Sequence, residues 1–366
     1  MITFDQVTKY YGETLGVNEL DFSVQDGEFL VMLGPTGAGK TTTLNLISGV
    51  IKPSSGDIFF NDDLINPVSP RKRNVSFVFQ DFILYPNMTV EENIAFPLHS
   101  PVRDFDEEEI MDRAHKVAST LSIDSHLKKH PPNLSGGEQQ RVGIARALVR
   151  DPIIFLMDEP LSNLDAKIKE NLSSELKRLQ EVRGDTFFYV THDQSLALSL
   201  ADRLIVLRNG KIAQMGDPLS LYNDPNSVFV ARFLTQPEVN LLPCSYDGNV
   251  CQLDGVSGSI GVSPEKHSLE AGSYLLCGFL PKDLELLTTE GDLESQTNGE
   301  ISLHEAQVRQ VRFLGADQVV TVDVDQASLD VIVSPGTNLA VGDTVQIKWN
   351  TKDAFFFDDA TGERVG

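Results

Sequence analysis

Gly34-Pro35-Thr36-Gly37-Ala38-Gly39-Lys40-Thr41 is the stretch that decides the fold of this 366-residue chain. It fits the spacing G-x-x-x-x-G-K-[ST], in which glycines let backbone N–H groups close around phosphates. An apolar run at residues 29–33 precedes it and a helical pattern over residues 41–48 follows, so the loop leads into a helix N-terminus that favours anions. We therefore expect Lys40 to reach the β- and γ-phosphates of ATP and the Thr41 hydroxyl to bind Mg²⁺.

Further apolar runs bounded by turn residues indicate the rest of a parallel sheet. They lie at residues 75–79, 153–157, 187–190 and 204–207, with helical patterns between several of them, such as Ala166–Arg183. Strands buried on both faces and alternating with helices predict an α/β fold with a mostly parallel sheet. Residues 85–150 break the alternation, and we predict that they form an inserted helical subdomain.

The character of the sequence changes near residue 235. Short alternating stretches separated by Gly and Asp turns follow, and the excess of acidic over basic residues is denser there. Such a pattern predicts a small all-β barrel or sandwich. We therefore expect a nucleotide-binding domain at residues 1–234 and a second domain at residues 235–366.

Composition and charge exclude several classes of protein. The net charge is −23, from 30 basic and 53 acidic side chains, which disfavours binding to nucleic acid phosphates. No segment reaches the roughly 18 apolar residues that a membrane span needs, and the N-terminus lacks a signal-peptide pattern. The chain should therefore stay in the cytoplasm, where we expect Cys244, Cys251 and Cys277 to be buried free thiols.

Polar side chains follow three of the predicted parallel strands. Asp158 and Glu159 end one strand, His192 follows another, and Gln80 follows a third. Because the carboxyl ends of parallel strands form the ligand edge of such a sheet, Asp158 suits Mg²⁺ and Glu159 suits a general base. His192 could hold the γ-phosphate or orient the attacking water, with a structural histidine as the alternative. The Gln80 amide could sense Mg²⁺ or water, although a glutamine in a turn is ordinary.

A second motif, Leu134-Ser135-Gly136-Gly137-Glu138-Gln139-Gln140-Arg141, opens a predicted helix. Ser135 and Glu138 have the spacing of a capping box. Two glycines in a first helical turn cost about 1 kcal/mol each relative to alanine, which suggests close approach of something to the backbone. A helix start of this kind binds anions. Since the first loop already wraps one side of a nucleotide, the motif predicts a nucleotide shared between two chains.

Taken together, these elements resemble the ATP-binding-cassette (ABC) ATPases, and the fold implied is a P-loop NTPase cassette followed by an OB-like β domain. The resemblance includes residues 162–165 and implies that Ser135, Gly136, Gly137 and Glu138 act on ATP bound to a second subunit. It places Asp165 at the dimer interface and Tyr11 on adenine, with Tyr10 as the rival. The implied ATP-binding set is Tyr11, Gly34, Pro35, Thr36, Gly37, Ala38, Gly39, Lys40, Thr41 and Thr42, with Mg²⁺ held by Thr41, Gln80 and Asp158.

Residues 78–90, 216–219 and 229–234 are very similar to ATPases of sugar importers of the maltose type, and residues 240–243, 311–315 and 354–362 resemble the C-terminal domain of that group. This resemblance implies ATP hydrolysis at the cytoplasmic face of the inner membrane by a peripheral dimer of this chain or of the chain with a paralogue. It also implies permease subunits docking near residues 80–88 and an extracytoplasmic solute-binding protein as an indirect partner. Polyamine, Fe³⁺ or another ion remains open as cargo, as does a soluble, non-transport ABC ATPase. Leu280-Pro281-Lys282 departs from the group's usual pattern, so no regulatory partner is assigned to the tail.

Overall fold

The computed structural model describes residues 1–79, 83–100, 105–162, 164–257, 259–261, 270–287, 301–314 and 317–365. The chain divides into two compact units, Met1–Leu219 and Ser220–Gly366. None of the helices in the described ranges is both long and apolar enough to cross a membrane.

The first unit contains ten strands within the described residues. They are β1 (Ile2–Tyr11), β2 (Thr14–Val24), β3 (Phe29–Leu33), β4 (Ser55–Phe60), β5 (Asp63–Leu64), β6 (Val75–Val78), β7 (Ile154–Asp158), β8 (Phe187–Thr191), β9 (Arg203–Arg208) and β10 (Lys211–Gly216). Its helices are α1 (Lys40–Ser48), α2 (Val90–Ala95), α3 (Glu107–Thr120), α4 (Gly136–Leu148), α5 (Ala166–Arg183) and α6 (Gln194–Leu200).

The central sheet has the strand order β10-β9-β3-β8-β7-β6, and all neighbours pair in parallel except the hairpin β9–β10. Every residue of β3 and β8 is buried, as expected for strands covered on both faces. The rings of Phe29 and Phe187 stack 5.0 Å apart, and Phe155 lies 4.9 Å from Phe187 on the other side. This register brings the carboxyl ends of β3, β7 and β8 to one edge of the sheet.

A second, antiparallel sheet of the first unit was not predicted from the sequence. Its order is β2-β1-β4-β5. Strand β1 changes register between Phe4 and Val7, and Gln6 has a φ of 47°. The bulge interrupts the two-residue alternation by which strands are recognised, so the apolar residues of β1 do not form a regular pattern. This sheet contributes the start of β2 to the site described below.

The described residues between β6 and β7 contain helices and turns but no strand. Thr89 caps α2 and Ser135 caps α4, each in a complete capping box with the glutamate three residues later. Asp106 caps α3, and its side chain accepts a bond from the backbone of Glu109. These caps satisfy N–H groups that have no partner within their helices.

The described part of the second unit contains two five-stranded antiparallel sheets, with orders β13-β12-β11-β14-β20 and β15-β19-β16-β17-β18. Its strands are β11 (Asn240–Tyr246), β12 (Val250–Leu253), β13 (Ser259–Gly261), β14 (Tyr274–Phe279), β15 (Leu284–Leu287), β16 (Ile301–Leu314), β17 (Asp317–Val324), β18 (Ala327–Val333), β19 (Thr344–Asn350) and β20 (Phe355–Asp358). Cys244, Cys251 and Cys277 are free and buried there, as predicted.

The division between the units differs from the predicted boundary at residues 234 and 235. Helix α7 (Pro218–Asn223) contains the division, and α8 (Val228–Leu234) belongs to the second unit. Ala231 of α8 is buried in one cluster with Val239, Leu280, Phe355 and Phe357. The apolar face of α8 therefore finds partners near the end of the chain, which explains why residues 228–234 belong to the second unit.

Candidate functional site

The phosphate loop connects β3 to α1, and its glycines are fixed by their surroundings. A Cβ at Gly34 would lie 2.6 Å from the carbonyl oxygen of Leu207, and one at Gly39 would lie 2.7 Å from the carbonyl oxygen of Gly16. Gly39 also has a φ of 111° and occupies the N-cap of α1. Neither position has space for another residue, so the fold itself requires both glycines.

Lys40 is buried inside this loop. Its Nζ donates hydrogen bonds to the carbonyl oxygens of Gly34 (2.8 Å) and Pro35 (3.1 Å) and lies 3.6 Å from Oε1 of Glu159. Burial lowers the pKa of Lys40, and the nearby carboxylate of Glu159 opposes this shift. The ammonium group is thus held in a partly dry loop by carbonyl groups that a phosphate could replace.

Two carboxylates lie where β7 ends, as the sequence predicted. The Thr41 hydroxyl donates to Oδ1 of Asp158 at 3.3 Å, so both predicted Mg²⁺ ligands in the described residues meet. Burial raises the pKa of Asp158, and the bond from Thr41 opposes this. Glu159 has a φ of 46°, a conformation that costs a non-glycine residue on the order of 1 kcal/mol. Both the N–H and the hydroxyl of Ser162 donate to its carbonyl oxygen, which stabilises this turn.

His192 follows β8 and contacts Glu159. Its Nδ1 lies 2.8 Å from Oε2 of Glu159, so two of the three residues predicted to be catalytic form a pair, and the third, Gln80, lies outside the described residues. The next residue, Asp193, caps α6 and forms an ion pair with Lys169 at 2.8 Å. This cap and ion pair fix the turn that carries His192.

A cavity of about 570 Å³ collects most of the predicted nucleotide residues. Its lining includes Tyr11, Thr36, Gly37, Gly39, Lys40, Thr41, Thr42, Asp158, Glu159 and His192. Tyr11 but not Tyr10 is part of that lining. Gly34, Pro35 and Ala38 are not among the lining residues, and Gln80 lies outside the described residues.

Sequence reasoning missed Thr14, Leu15 and Gly16 at the start of β2, which also line the cavity. A Cβ at Gly16 would lie 2.9 Å from the ring of Tyr11. Gly16 therefore leaves room for the tyrosine ring in its present position. The signal that could have found these residues is the short turn at Gly12, because it returns the chain beside Tyr11.

The second motif is not part of this cavity as the described residues define it. Ser135 and Gly136 are exposed at the start of α4. A Cβ at Gly136 would have nothing within 4 Å, and one at Gly137 would first meet Ile168 at 3.5 Å, an ordinary contact. Packing within this chain therefore does not require glycine at either position.

Glu138 completes the capping box of α4. Its Oε2 accepts from the N–H of Ser135 at 2.6 Å and from the Ser135 hydroxyl at 2.8 Å. These two bonds lower the pKa of Glu138, so the carboxylate stays ionised at neutral pH. Asp165 is exposed at the N-cap of α5, where it accepts from the backbone of Ile168 at 3.0 Å.

Two family models match the chain. The model described as ABC transporter matches residues 17–162, and the model described as TOBE domain matches residues 281–357. The trehalose/maltose import ATP-binding protein of Thermococcus litoralis is 37% identical over 98% of this chain and 98% of its own length. The sn-glycerol-3-phosphate import ATP-binding protein of Roseobacter denitrificans is 39% identical, with 94% of each chain covered.

The chain belongs to the ABC transporter ATP-binding proteins.

A solved structure supports this membership. The dimeric post-hydrolysis state of the ATP-binding cassette MJ0796, bound to ADP and Pi, is 33% identical with a TM-score of 0.54 and covers 60% of this chain and 99% of that chain. The recognition of an ABC ATPase with an OB-like C-terminal domain, and the cassette fold, are confirmed. The assignment of an ATPase is confirmed with them.

This ABC ATPase has a second cavity, of about 580 Å³, next to the segment predicted to meet the permease. Phe79, Ile83, Tyr85 and Arg146 are among its lining residues. Phe79 and Ile83 are 58% and 78% exposed, respectively. Arg146 donates to the carbonyl oxygen of Ile83 at 2.9 Å, so helix α4 supports the exposed segment. Residues 80–82 lie outside the described part of the chain.

Proposed function

We propose that this chain is the ATP-hydrolysing, energy-coupling subunit of an importer for a sugar or a sugar-like solute. Two copies, or one copy and a paralogue, would pair head to tail so that each ATP contacts Lys40 of one chain and Ser135 of the other. One observation carries the proposal: both Gly136 and Gly137 could carry a Cβ without a clash in this chain, and yet both are glycine at the start of a helix. A phosphate of the ATP bound to a second chain, close to this helix start, would explain why neither position carries a side chain.

The phosphate-binding half of the site fits Mg²⁺ in its donor chemistry. The Thr41 hydroxyl and the Asp158 carboxylate supply oxygen atoms, the ligands that this ion prefers, and they already lie within 3.3 Å of each other. When bound, the ion would neutralise negative charge that develops on the phosphates. We assign its protein ligands to Thr41, Asp158 and Gln80.

The remaining steps belong to the chain's own side chains. We expect the Lys40 ammonium to exchange its bonds with the carbonyl groups of Gly34 and Pro35 for bonds with phosphate oxygens. Glu159 lies between Lys40 and His192, so its carboxylate is placed to accept the proton of a water that attacks the γ-phosphate. His192 would hold this carboxylate in position through Nδ1 while the phosphate is attacked.

ATP drives the dimer closed because it contacts both chains only in the closed state. Closure would move the second cavity, which is lined by Phe79, Ile83 and Tyr85. We propose that the permease contacts the chain there, near residues 80–88. Hydrolysis removes the shared γ-phosphate and reopens the dimer. The chain would act at the cytoplasmic face of the membrane as a peripheral subunit, and the extracytoplasmic solute-binding protein would reach it only through the permease.

We propose a sugar or a sugar-like solute as the cargo. One relative is named for trehalose and maltose import and another for sn-glycerol-3-phosphate import, and both match nearly the whole chain. Both names support a sugar or sugar-like solute over a polyamine or Fe³⁺. The deciding experiment purifies the chain from native membranes with its permease and binding protein. That binding protein is then titrated with maltose, sn-glycerol-3-phosphate, spermidine and Fe³⁺.

The test of the catalytic assignment is Glu159→Gln, which keeps the shape of the side chain but removes the base. We expect turnover to fall by about 100-fold or more, with ATP binding retained and closed dimer accumulating on size-exclusion chromatography. Glu181→Gln, at an exposed position of α5, is the matched control and should hydrolyse ATP normally. Turnover like that of the unmodified protein in Glu159→Gln would refute the assignment.

A further inference from the structure

His126 contacts the carboxylate that organises the second motif. Its Nε2 lies 2.7 Å from Oε1 of Glu138, while the other oxygen of Glu138 accepts both bonds from Ser135. An ionised carboxylate only accepts hydrogen bonds, so His126 is the donor and carries its proton on Nε2. Each oxygen of Glu138 thus has its own donor residue.

The backbone around His126 is fixed to the helical subdomain. The N–H of His126 donates to the carbonyl oxygen of Ile123 at 3.0 Å, and its own carbonyl oxygen accepts from Lys129 at 2.8 Å. The next residue is connected to helix α2, because the N–H of Glu91 donates to the carbonyl oxygen of Leu127 at 3.0 Å. The His126 side chain, of which 21% is exposed, therefore contacts Glu138 from a segment whose backbone is hydrogen-bonded to its neighbours.

The bonds of Ser135 create a conflict that this support can resolve. The Ser135 hydroxyl now donates to Glu138 at 2.8 Å, and a phosphate would need that same proton. When the hydroxyl turns away, Glu138 keeps the Ser135 N–H on one oxygen and the His126 N–H on the other. The carboxylate then stays in place and still accepts from the Ser135 N–H, so this half of the capping box remains while Ser135 binds the anion.

We propose that His126 is a positioning residue for ATP hydrolysis: it holds Glu138 in place when the Ser135 hydroxyl stops donating to that carboxylate and donates instead to a phosphate on the partner subunit. The inference rests on the proposed shared site. The low pKa of Glu138, due first to the bonds from Ser135 and further to the charges of His126 and Lys129, agrees with a carboxylate that serves only as an acceptor.

The experiment compares His126→Leu, which removes the donor, with His126→Gln, whose amide N–H can replace Nε2. His130→Gln, at an exposed histidine in the same segment, is the control. The readouts are kcat, the apparent KM for ATP, binding of ATP to the monomer, and ATP-dependent dimer formation in the Glu159→Gln background. We expect His126→Leu to lower kcat by about tenfold, a change of about 1.4 kcal/mol in the barrier, and to weaken dimer formation. ATP binding to the monomer should be unchanged, and His126→Gln should recover most of the activity.

A double-mutant cycle separates positioning from general damage. If His126 acts through Glu138, then His126→Leu added to Glu138→Gln should lower kcat no further than Glu138→Gln alone. Additive losses, equal losses in His126→Leu and His126→Gln, or full activity in His126→Leu would each overturn the inference. Should His126→Leu fail to fold, His126→Asn takes its place, because its amide is too short to reach Glu138. Ser135→Ala with normal turnover and dimer formation would instead overturn the shared site itself.

Discussion

The phosphate loop and the start of α4 both present glycines, but for different reasons. In the phosphate loop, a Cβ at Gly34 or Gly39 would overlap backbone oxygens 2.6 and 2.7 Å away. At the start of α4, a Cβ at Gly136 would meet nothing within 4 Å. The first half-site is explained by the fold of this chain alone. The fold of this chain does not explain the glycines of the second half-site, whereas the shared nucleotide that we propose would explain them.

The largest expected effect comes from replacing one glycine of each region by alanine. Gly34→Ala should disrupt the loop, because backbone atoms of Leu207 must move, and we expect a loss of at least about 1–3 kcal/mol of stability together with ATP binding. Gly136→Ala should keep or slightly raise the melting temperature, because alanine favours a helix by about 1 kcal/mol over glycine. Its turnover should nevertheless fall by at least tenfold. Thermal unfolding, ATP binding to the monomer and steady-state hydrolysis measure the three quantities.

The contrast would be broken by either of two results. Normal turnover in Gly136→Ala would mean that nothing approaches this helix start closely. Normal stability and ATP binding in Gly34→Ala would mean that the loop has more space than its geometry indicates.

A smaller effect distinguishes the loss of a helix cap from the loss of a catalytic contact. The helical subdomain allows this comparison because it has two capping boxes. Ser135→Ala and Thr89→Ala each remove a side-chain cap, and each should cost about 1 kcal/mol of stability. Only Ser135→Ala should lower turnover, by about tenfold or more, since only Ser135 would face a phosphate. Melting temperatures and hydrolysis rates of the two variants, measured side by side, give the comparison. Equal turnover in both would remove Ser135 from the catalytic site.

The same two regions show what a sequence can reveal. The phosphate loop and the strands β3, β7 and β8 were predictable, because burial on both faces produces continuous apolar runs. Helix α5 was predictable in its limits, since Asp165 caps its start and Gly184, with a φ of 69°, ends it. Each of the two capping boxes can be recognised from a stretch of four residues. All of these signals are local.

The features that were missed depend on distant residues. Strand β1 escaped because its bulge at Gln6 breaks the alternation of apolar residues. The boundary between the units was misplaced because the partners of α8 are Phe355 and Phe357, more than a hundred residues later. His126 belongs to no motif, and only its distance to Glu138 gives it a role. Contacts across long separations leave no regular trace in one sequence.

The smallest expected effect concerns the opposite electrostatics of the two half-sites. Burial raises the pKa of Asp158, whereas the bonds from Ser135 lower the pKa of Glu138. A raised pKa means that the ionised Asp158 destabilises the ligand-free fold above its folded pKa, and this penalty disappears as the pH falls through that value. The ionised Glu138 stabilises the fold above its unfolded pKa, and this gain is lost as the pH falls through its lowered folded pKa.

Asp158→Asn should therefore raise the melting temperature of the ligand-free protein near pH 8 by about 2 °C, and Glu138→Gln should lower it. Both differences from the unmodified protein should shrink as the pH falls into the acid range. Calorimetry in EDTA across this pH range measures them. With ATP and Mg²⁺ added, the unmodified protein should have the higher melting temperature of the two. Only the unmodified protein keeps the carboxylate that we propose as a Mg²⁺ ligand, so only it gains the full stabilisation from binding. If Asp158→Asn is less stable than the unmodified protein without nucleotide, then the ionised Asp158 does not destabilise the ligand-free fold.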